Sequence, residues 1–187
     1  NKEVGVRGFT LVELMITTAI ASGILLVGIP AFSDFQDRIR SDTASSALRN
    51  IISKARYTAI SLKTNVTLCP LIKNNGTCTG SWNDPITMFV DANGNNQVDS
   101  GEPILQVIDL HATNGTWDKK LKNRNYVEFN GNGHSFGSAT TFLYCPDSQD
   151  NRFAKVLTLN FQGRTRSSSY LNSRGNPRSN VTPLSCS

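Results

Sequence analysis

The stretch Gly8 to Phe32, G-F-T-L-V-E-L-M-I-T-T-A-I-A-S-G-I-L-L-V-G-I-P-A-F, decides how the rest of the chain is read. From Phe9 to Phe32 every residue is apolar or small except one carboxylate, Glu13. As a helix these 24 residues span about 36 Å, enough for a bilayer core of about 30 Å. An acid within a membrane helix is costly unless it is paired, which makes Glu13 a candidate functional residue. A secretory signal would use Lys2 and Arg7 as its basic start, Leu11 to Ile20 as its apolar part and Ala19-Ile20-Ala21 as its cleavage site. Two features argue against that. The apolar run continues ten residues past Ala21, and it carries a charge.

Downstream, Phe32, Phe35, Ile39, Ala44, Leu48, Ile51, Ala55, Ala59 and Leu62 recur every three or four residues, with Asp34, Asp37, Arg38, Arg40, Arg49, Lys54 and Arg56 between them. That period predicts an amphipathic helix continuous with the apolar one, running from Phe9 to Leu62 over roughly 80 Å. Beyond Lys63 the helical period stops. Short β-rich runs appear between Gly, Asn, Asp and Pro clusters, at about Asn65 to Leu71, Ile86 to Val90, Ile104 to Leu110, Tyr126 to Phe129, Thr140 to Cys145 and Lys155 to Phe161. A long helix followed by many short strands gives an α+β fold, with residues 63–187 large enough for one globular domain.

The basic start ending in Gly8, followed by Phe9-Thr10-Leu11-Val12-Glu13, resembles the type IV prepilin signature. The resemblance implies that a prepilin peptidase removes residues 1–8 by cutting between Gly8 and Phe9, and methylates the new Phe9 amine. It also implies that Glu13 pairs with the Phe9 ammonium of a neighbouring subunit, each charge relieving the other in lipid and the pair setting assembly register. Pro30 matches the family's proline near the end of the apolar segment and should kink the helix. A second resemblance lies in Trp82 to Ile108, W-N-D-P-I-T-M-F-V-D-A-N-G-N-N-Q-V-D-S-G-E-P-I-L-Q-V-I, which is similar to the GspH/FimT minor pilins and pseudopilins.

Together these imply the type IV pilin fold. The leader is 1–8, the transmembrane and assembly half of the helix 9–32, the amphipathic half 33–62, and the β-rich domain with its basic C-terminal segment 63–187. The implied function is that of a structural component of a type IV pilus or a type II secretion pseudopilus, at the tip or in assembly initiation. The implied place is the bacterial inner membrane, single-pass with the globular domain in the periplasm, and then the filament. The partners would be other pilins or pseudopilins, the prepilin peptidase and the membrane.

The formal charge of +5 is uneven: residues 63–150 carry −3, whereas the last 37 residues carry +6 and no acid. Such asymmetry points to an acidic partner or to a solvated basic tail. Cys69, Cys78, Cys145 and Cys186 all lie on the part a prepilin exposes outside the cytoplasm, where disulfides persist. Three connectivities are open to four cysteines. Cys69 and Cys78 flank a Gly-containing polar loop, so the expected bonds are Cys69 to Cys78 and Cys145 to Cys186. Their spacings are not those of common zinc sites, and only His111 and His134 could add ligands.

Three polar constellations remain. Asp91, Asn93, Asn95, Gln97, Asp99 and Glu102 fall at positions 1, 3, 5, 7, 9 and 12 of a calcium loop. Asn96 replaces the Gly at position 6, and such Asx-rich runs also make ordinary hairpin turns, the preferred reading. Gly163-Arg164-Thr165-Arg166 resembles the Gly-Arg-x-Arg motif of FimT-like proteins, which carries DNA binding in those that serve natural transformation. Arginines two apart on an extended segment face the same side and can each meet a phosphate. Arg174 and Arg178 extend the strip, and Tyr170 is the nearby aromatic for base stacking. Lys119, Lys120, Lys122 and Arg124 form a second basic cluster, read as a loop. The alternative function is therefore a minor pilin that captures extracellular double-stranded DNA. Two isolated histidines and no phosphate loop supply no catalytic constellation, so an enzyme is not expected and no cofactor besides calcium is implied.

Overall fold

The structure, a computed structural model, describes residues 8–71, 76–110, 115–120, 124–135, 137–177 and 184–186; within the helix, the side chains of residues 27–31 are outside the described ones. Among the described residues one helix, α1 (Leu11–Leu62), precedes eight strands: β1 (Val66–Pro70), β2 (Ile86–Val90), β3 (Ile104–Ile108), β4 (Gly115–Lys119), β5 (Val127–Phe129), β6 (Thr140–Pro146), β7 (Lys155–Leu159) and β8 (Thr165–Ser169). The chain divides into two compact units, Asn1–Gln36 and Asp37–Ser187.

The first unit is the start of α1. Thr10 caps it: its hydroxyl accepts the Glu13 amide at 3.2 Å and its carbonyl accepts the Leu14 amide. Phe9, Leu11, Val12, Leu14 and Met15 are all exposed. The helical assignment continues through Pro30, where the sequence predicts a kink. Among the described residues no helix is long and apolar enough to cross a membrane. The described side chains of the apolar run stop at Leu26, short of the about 20 residues that a span requires.

The second unit is built on two antiparallel sheets, ordered β3-β2-β1-β5 and β4-β6-β7-β8. Ala44, Leu48, Ile51, Ile52, Ala55 and Ala59 of α1 join one core with Leu68, Met88 and Phe129 of the first sheet and Phe142, Tyr144 and Leu157 of the second. Alanines at three of these positions, with Ser41 and Ser45 also buried, leave little side chain between helix and sheets. Polar contacts fix the seating. Lys54 donates to Gln106 of β3 at 2.6 Å, Lys155 of β7 pairs with Asp42 at 2.6 Å, and Ser45 bonds Ser167 of β8 at 2.7 Å.

The buried stripe is narrower than the sequence period suggests. Phe32, Phe35, Ile39 and Leu62 are exposed. α1 ends where Lys63 turns left-handed (φ 54°) and the Thr64 amide reaches back to the Ala59 carbonyl.

Disulfides join Cys69 to Cys78 and Cys145 to Cys186. The second staples a C-terminal segment over the sheet face turned away from α1. There Leu184 and Cys186 cover Leu143, Ala154 and Val156, and the Tyr170 hydroxyl donates to the Leu184 carbonyl at 3.0 Å.

Candidate functional site

At the helix start the polar side chains satisfy themselves. Thr17 and Thr18 each donate to the Leu14 carbonyl, and Ser22 donates to that of Thr18, so these hydroxyls present no unmet hydrogen bond to an apolar surrounding. Among the described residues the Glu13 carboxylate has no such partner. It is one charge on an otherwise apolar surface, and by its place in the first turn it also favours the helix dipole. Gly8 has open space around it.

The Gly-Arg-x-Arg stretch forms the hairpin between β7 and β8. Asn160 organises the turn: its side-chain oxygen accepts the amides of Gln162 and Arg164, and its carbonyl accepts that of Gly163. Gly163 is left-handed (φ 74°), and a Cβ there would fall inside contact distance of the Gly133 carbonyl oxygen and 2.9 Å from Arg56 Nε. Arg56 in turn donates from Nε to that carbonyl at 2.9 Å, so α1 pins two turns at one point. The glycine of the motif thus has a structural reason to be there.

Arg164 and Arg166 are exposed, and Arg166 stands opposite Thr158 of β7. Strand alternation puts Arg166 on the face opposite Ser167, which bonds α1. Arg174 is also exposed but occupies a separate turn held by Asn172, and Arg178 lies outside the described residues. Tyr170 is only 3% exposed and is committed to Leu184, so it is not the stacking platform the sequence offered.

The second basic cluster is not a uniform solvated loop. Lys119 ends β4 and is 4% exposed; its ammonium donates to the carbonyls of Arg124 and Tyr126 and lies over the rings of Trp82 and Phe142. Burial, then the Arg124 charge, pulls its pKa down to about 8. Arg124 donates to the Gly137 carbonyl. Of the four, Lys120 is exposed, its amide continuing the ladder to Thr141, and Lys122 lies outside the described residues. The signal missed was Trp-Asp-Lys, a lysine ending a strand that carries a core tryptophan.

In residues 91–102 the oxygens of Asp91, Asp99 and Glu102 accept hydrogen bonds, mostly from donors of the loop itself. Asp91, fully buried, accepts from the Thr67 hydroxyl and from the amides of Asn95 and Asn96. Asp99 accepts from the side chains of Asn93 and Asn95, and Glu102 from the amides of Ala92 and Asp99. Asn96 adopts φ 59°, supplying the left-handed residue that Gly would give a calcium loop. Among the described residues no three His, Cys, Asp or Glu converge on a point where they could hold a metal. Nested Asx turns hold the loop in this form. Glu128 nearby has its pKa raised, by burial first and then by the Asp91 charge.

A capped apolar helix start, an amphipathic continuation and a disulfide-stapled antiparallel β domain define the type IV pilin fold. The type IV minor pilin FimU of Pseudomonas aeruginosa has it too. One crystal form aligns with a TM-score of 0.56 at 19% identity, over 82% of this chain and 99% of that one. A second aligns with 0.51 at 17%, over 78% and 99%. No curated protein matches the chain by sequence. The family model described as type II transport protein GspH matches residues 44–163. The chain belongs to the GspH family.

Proposed function

We propose that the chain is a structural minor pilin or pseudopilin, held in the inner membrane by residues 9–32 until it is packed helix to helix into a filament. The observation that carries this is the first unit. It is an exposed apolar helix whose Thr17, Thr18 and Ser22 hydroxyls are met within the helix, while among the described residues the Glu13 carboxylate has no such partner. The free amine of a neighbouring Phe9 would supply it, and a charge pair in an apolar surround tolerates little displacement, so it would fix register. The role is structural, with other pilins as partners and the prepilin peptidase as processing enzyme.

Because Gly8 touches nothing, replacing it by Leu perturbs peptidase recognition and not packing. In cells with the peptidase, Gly8→Leu should run on gels as the unprocessed form. Normal processing would contradict the reading.

Exposure of Arg164, in the turn before β8, and of Arg166, on that edge strand, favours a second reading, capture of double-stranded DNA through phosphate contacts. Binding would be independent of sequence and would weaken steeply with salt. The Arg164→Gln/Arg166→Gln double variant should bind more weakly in gel-shift titrations, with a shallower salt slope. Equal binding by parent and variant would remove this reading and leave the filament role untouched.

A further inference from the structure

Phe161 has no part in either reading. It sits in the hairpin turn between β7 and β8 and is 61% exposed. The turn does not need its ring: Asn160 accepts the amides of Gln162 and Arg164 with its side chain and that of Gly163 with its carbonyl, and left-handed Gly163 makes the bend. The backbone of Phe161 is held as well, its carbonyl accepting the Ser135 amide at 3.0 Å while the Ser135 hydroxyl donates to the Asn160 carbonyl at 2.7 Å. A single exposed apolar side chain is ordinary on a protein surface. The surround of this one is not.

Arg56 of α1 presses on the same turn, with Nε 2.9 Å and Cδ 3.1 Å from where a Cβ at Gly163 would stand. Its Nε is committed to the Gly133 carbonyl, and among the described residues its four Nη donors have no acceptor, although Arg56 is half-buried. Arg164 follows Gly163 and is exposed, and Lys63 is exposed at the end of α1, its backbone against the turn at Gly131. Residues 56–64, 130–135 and 160–166 together carry four Lys or Arg and no acid. The carboxylate nearest to them in sequence, Glu128, lies on the side of Gly94 and Asp91.

We propose that Phe161 is a stacking platform for an unpaired base, with Arg56 and Arg164 beside Gly163 taking phosphates of the same strand, so that this surface binds single-stranded DNA more tightly than duplex. This role rests on the reading of Arg164 and Arg166 as phosphate contacts and adds a base contact to it. A duplex offers the surface its phosphates but keeps the faces of its bases stacked on one another. A single strand offers both, and the stacking of one base on an aromatic side chain corresponds to about a tenfold gain in affinity. Every base has such a face, so the preference is for strandedness and not for sequence.

The test uses the full chain in detergent and reads the fluorescence anisotropy of labelled DNA at one low salt concentration. The probes are oligothymidylate, an abasic strand of the same length and charge, and a duplex of mixed sequence. Oligothymidylate should bind about tenfold more tightly than the abasic strand, and more tightly than the duplex. Phe161→Ser should abolish the difference between the two single strands and leave duplex binding within about twofold, and Phe161→Tyr should retain the parent's difference. Arg164→Gln/Arg166→Gln should weaken all three probes. Equal binding of oligothymidylate and the abasic strand by the parent, duplex binding tighter than either, or an undiminished difference in Phe161→Ser would overturn the stacking role and leave the phosphate reading to stand on the duplex result. Equal weakening of all three probes by Phe161→Ser would make the ring a structural part of the turn and overturn it too. No binding of any probe would remove the phosphate reading, and the stacking role with it.

Discussion

Gly163→Ala separates the two roles folded into the Gly-Arg-x-Arg stretch. The backbone at this residue is left-handed, which for alanine costs about 1–2 kcal/mol. The new Cβ would also collide with the Gly133 carbonyl oxygen and approach Arg56 Nε to 2.9 Å, a separation that real Cβ atoms do not tolerate. One of the two must give way, breaking the Arg56 to Gly133 hydrogen bond, which as a bond from a charged donor contributes about 1.5–3 kcal/mol. The sum is about 3–5 kcal/mol. For a unit of this size that lowers the melting temperature by about 10 °C. Near-ultraviolet circular dichroism follows it directly, since both tryptophans sit in the core of the second unit. The Arg164→Gln/Arg166→Gln double variant, altering only exposed side chains, should melt within about 2 °C of the parent. If Gly163→Ala also melts within about 2 °C, the two-turn clamp at Arg56 is not a stabilising feature and the argument from Gly163 fails.

Replacing Cys145 and Cys186 by Ser opens a loop with sequence separation 41, and should cost about 4 kcal/mol by the chain-entropy estimate. Denaturant titration would show it, and unchanged stability would mean that the C-terminal strap holds without its staple. Calcium or a chelator should leave the melting temperature unchanged, because the Asp91 and Asp99 oxygens are already taken by donors of the loop; a calcium-dependent rise would reverse the turn reading. The raised pKa of Glu128 means that the folded state holds this proton more tightly than the unfolded one. Its contribution to stability is then present below the ordinary value of 4.5 and is lost as pH rises through the folded pKa. Glu128→Gln should accordingly melt higher than the parent at pH 7 and not at pH 4, and the same difference at both would refute the burial argument.

Much of this fold is legible in the sequence. β2 coincides residue for residue with the run Ile86 to Val90, and the 3.6 period of Ala44, Leu48, Ile51, Ala55 and Ala59 marks the buried face of α1. Two strands are invisible to pattern alone. β4, Gly-Thr-Trp-Asp-Lys, reads as a turn with charges, and its edge is completed by a side chain, Asn83, which accepts the Trp117 amide and donates to its carbonyl. β8, Thr-Arg-Ser-Ser-Ser, has no apolar residue at all and exists because β7 offers it a full ladder. The same dependence on distant partners hides the fate of Tyr170 and Lys119. Sequence places an aromatic and a cation near basic neighbours, whereas the fold closes a C-terminal strap over one and two tryptophan-bearing segments around the other. Contacts at the helix start are local by contrast, with Thr10, Thr17, Thr18 and Ser22 each bonding within four residues along the chain.

The filament account stands or falls on Glu13. Filaments sheared from cells that express the full chain are probed for it beside the membrane fraction, for the parent and for Glu13→Ala. The account predicts the parent in both fractions and Glu13→Ala in the membrane alone, because the alanine helix keeps its apolar surface but no longer offers a partner to a neighbour's amine. Equal amounts of both proteins in the sheared filaments would contradict it.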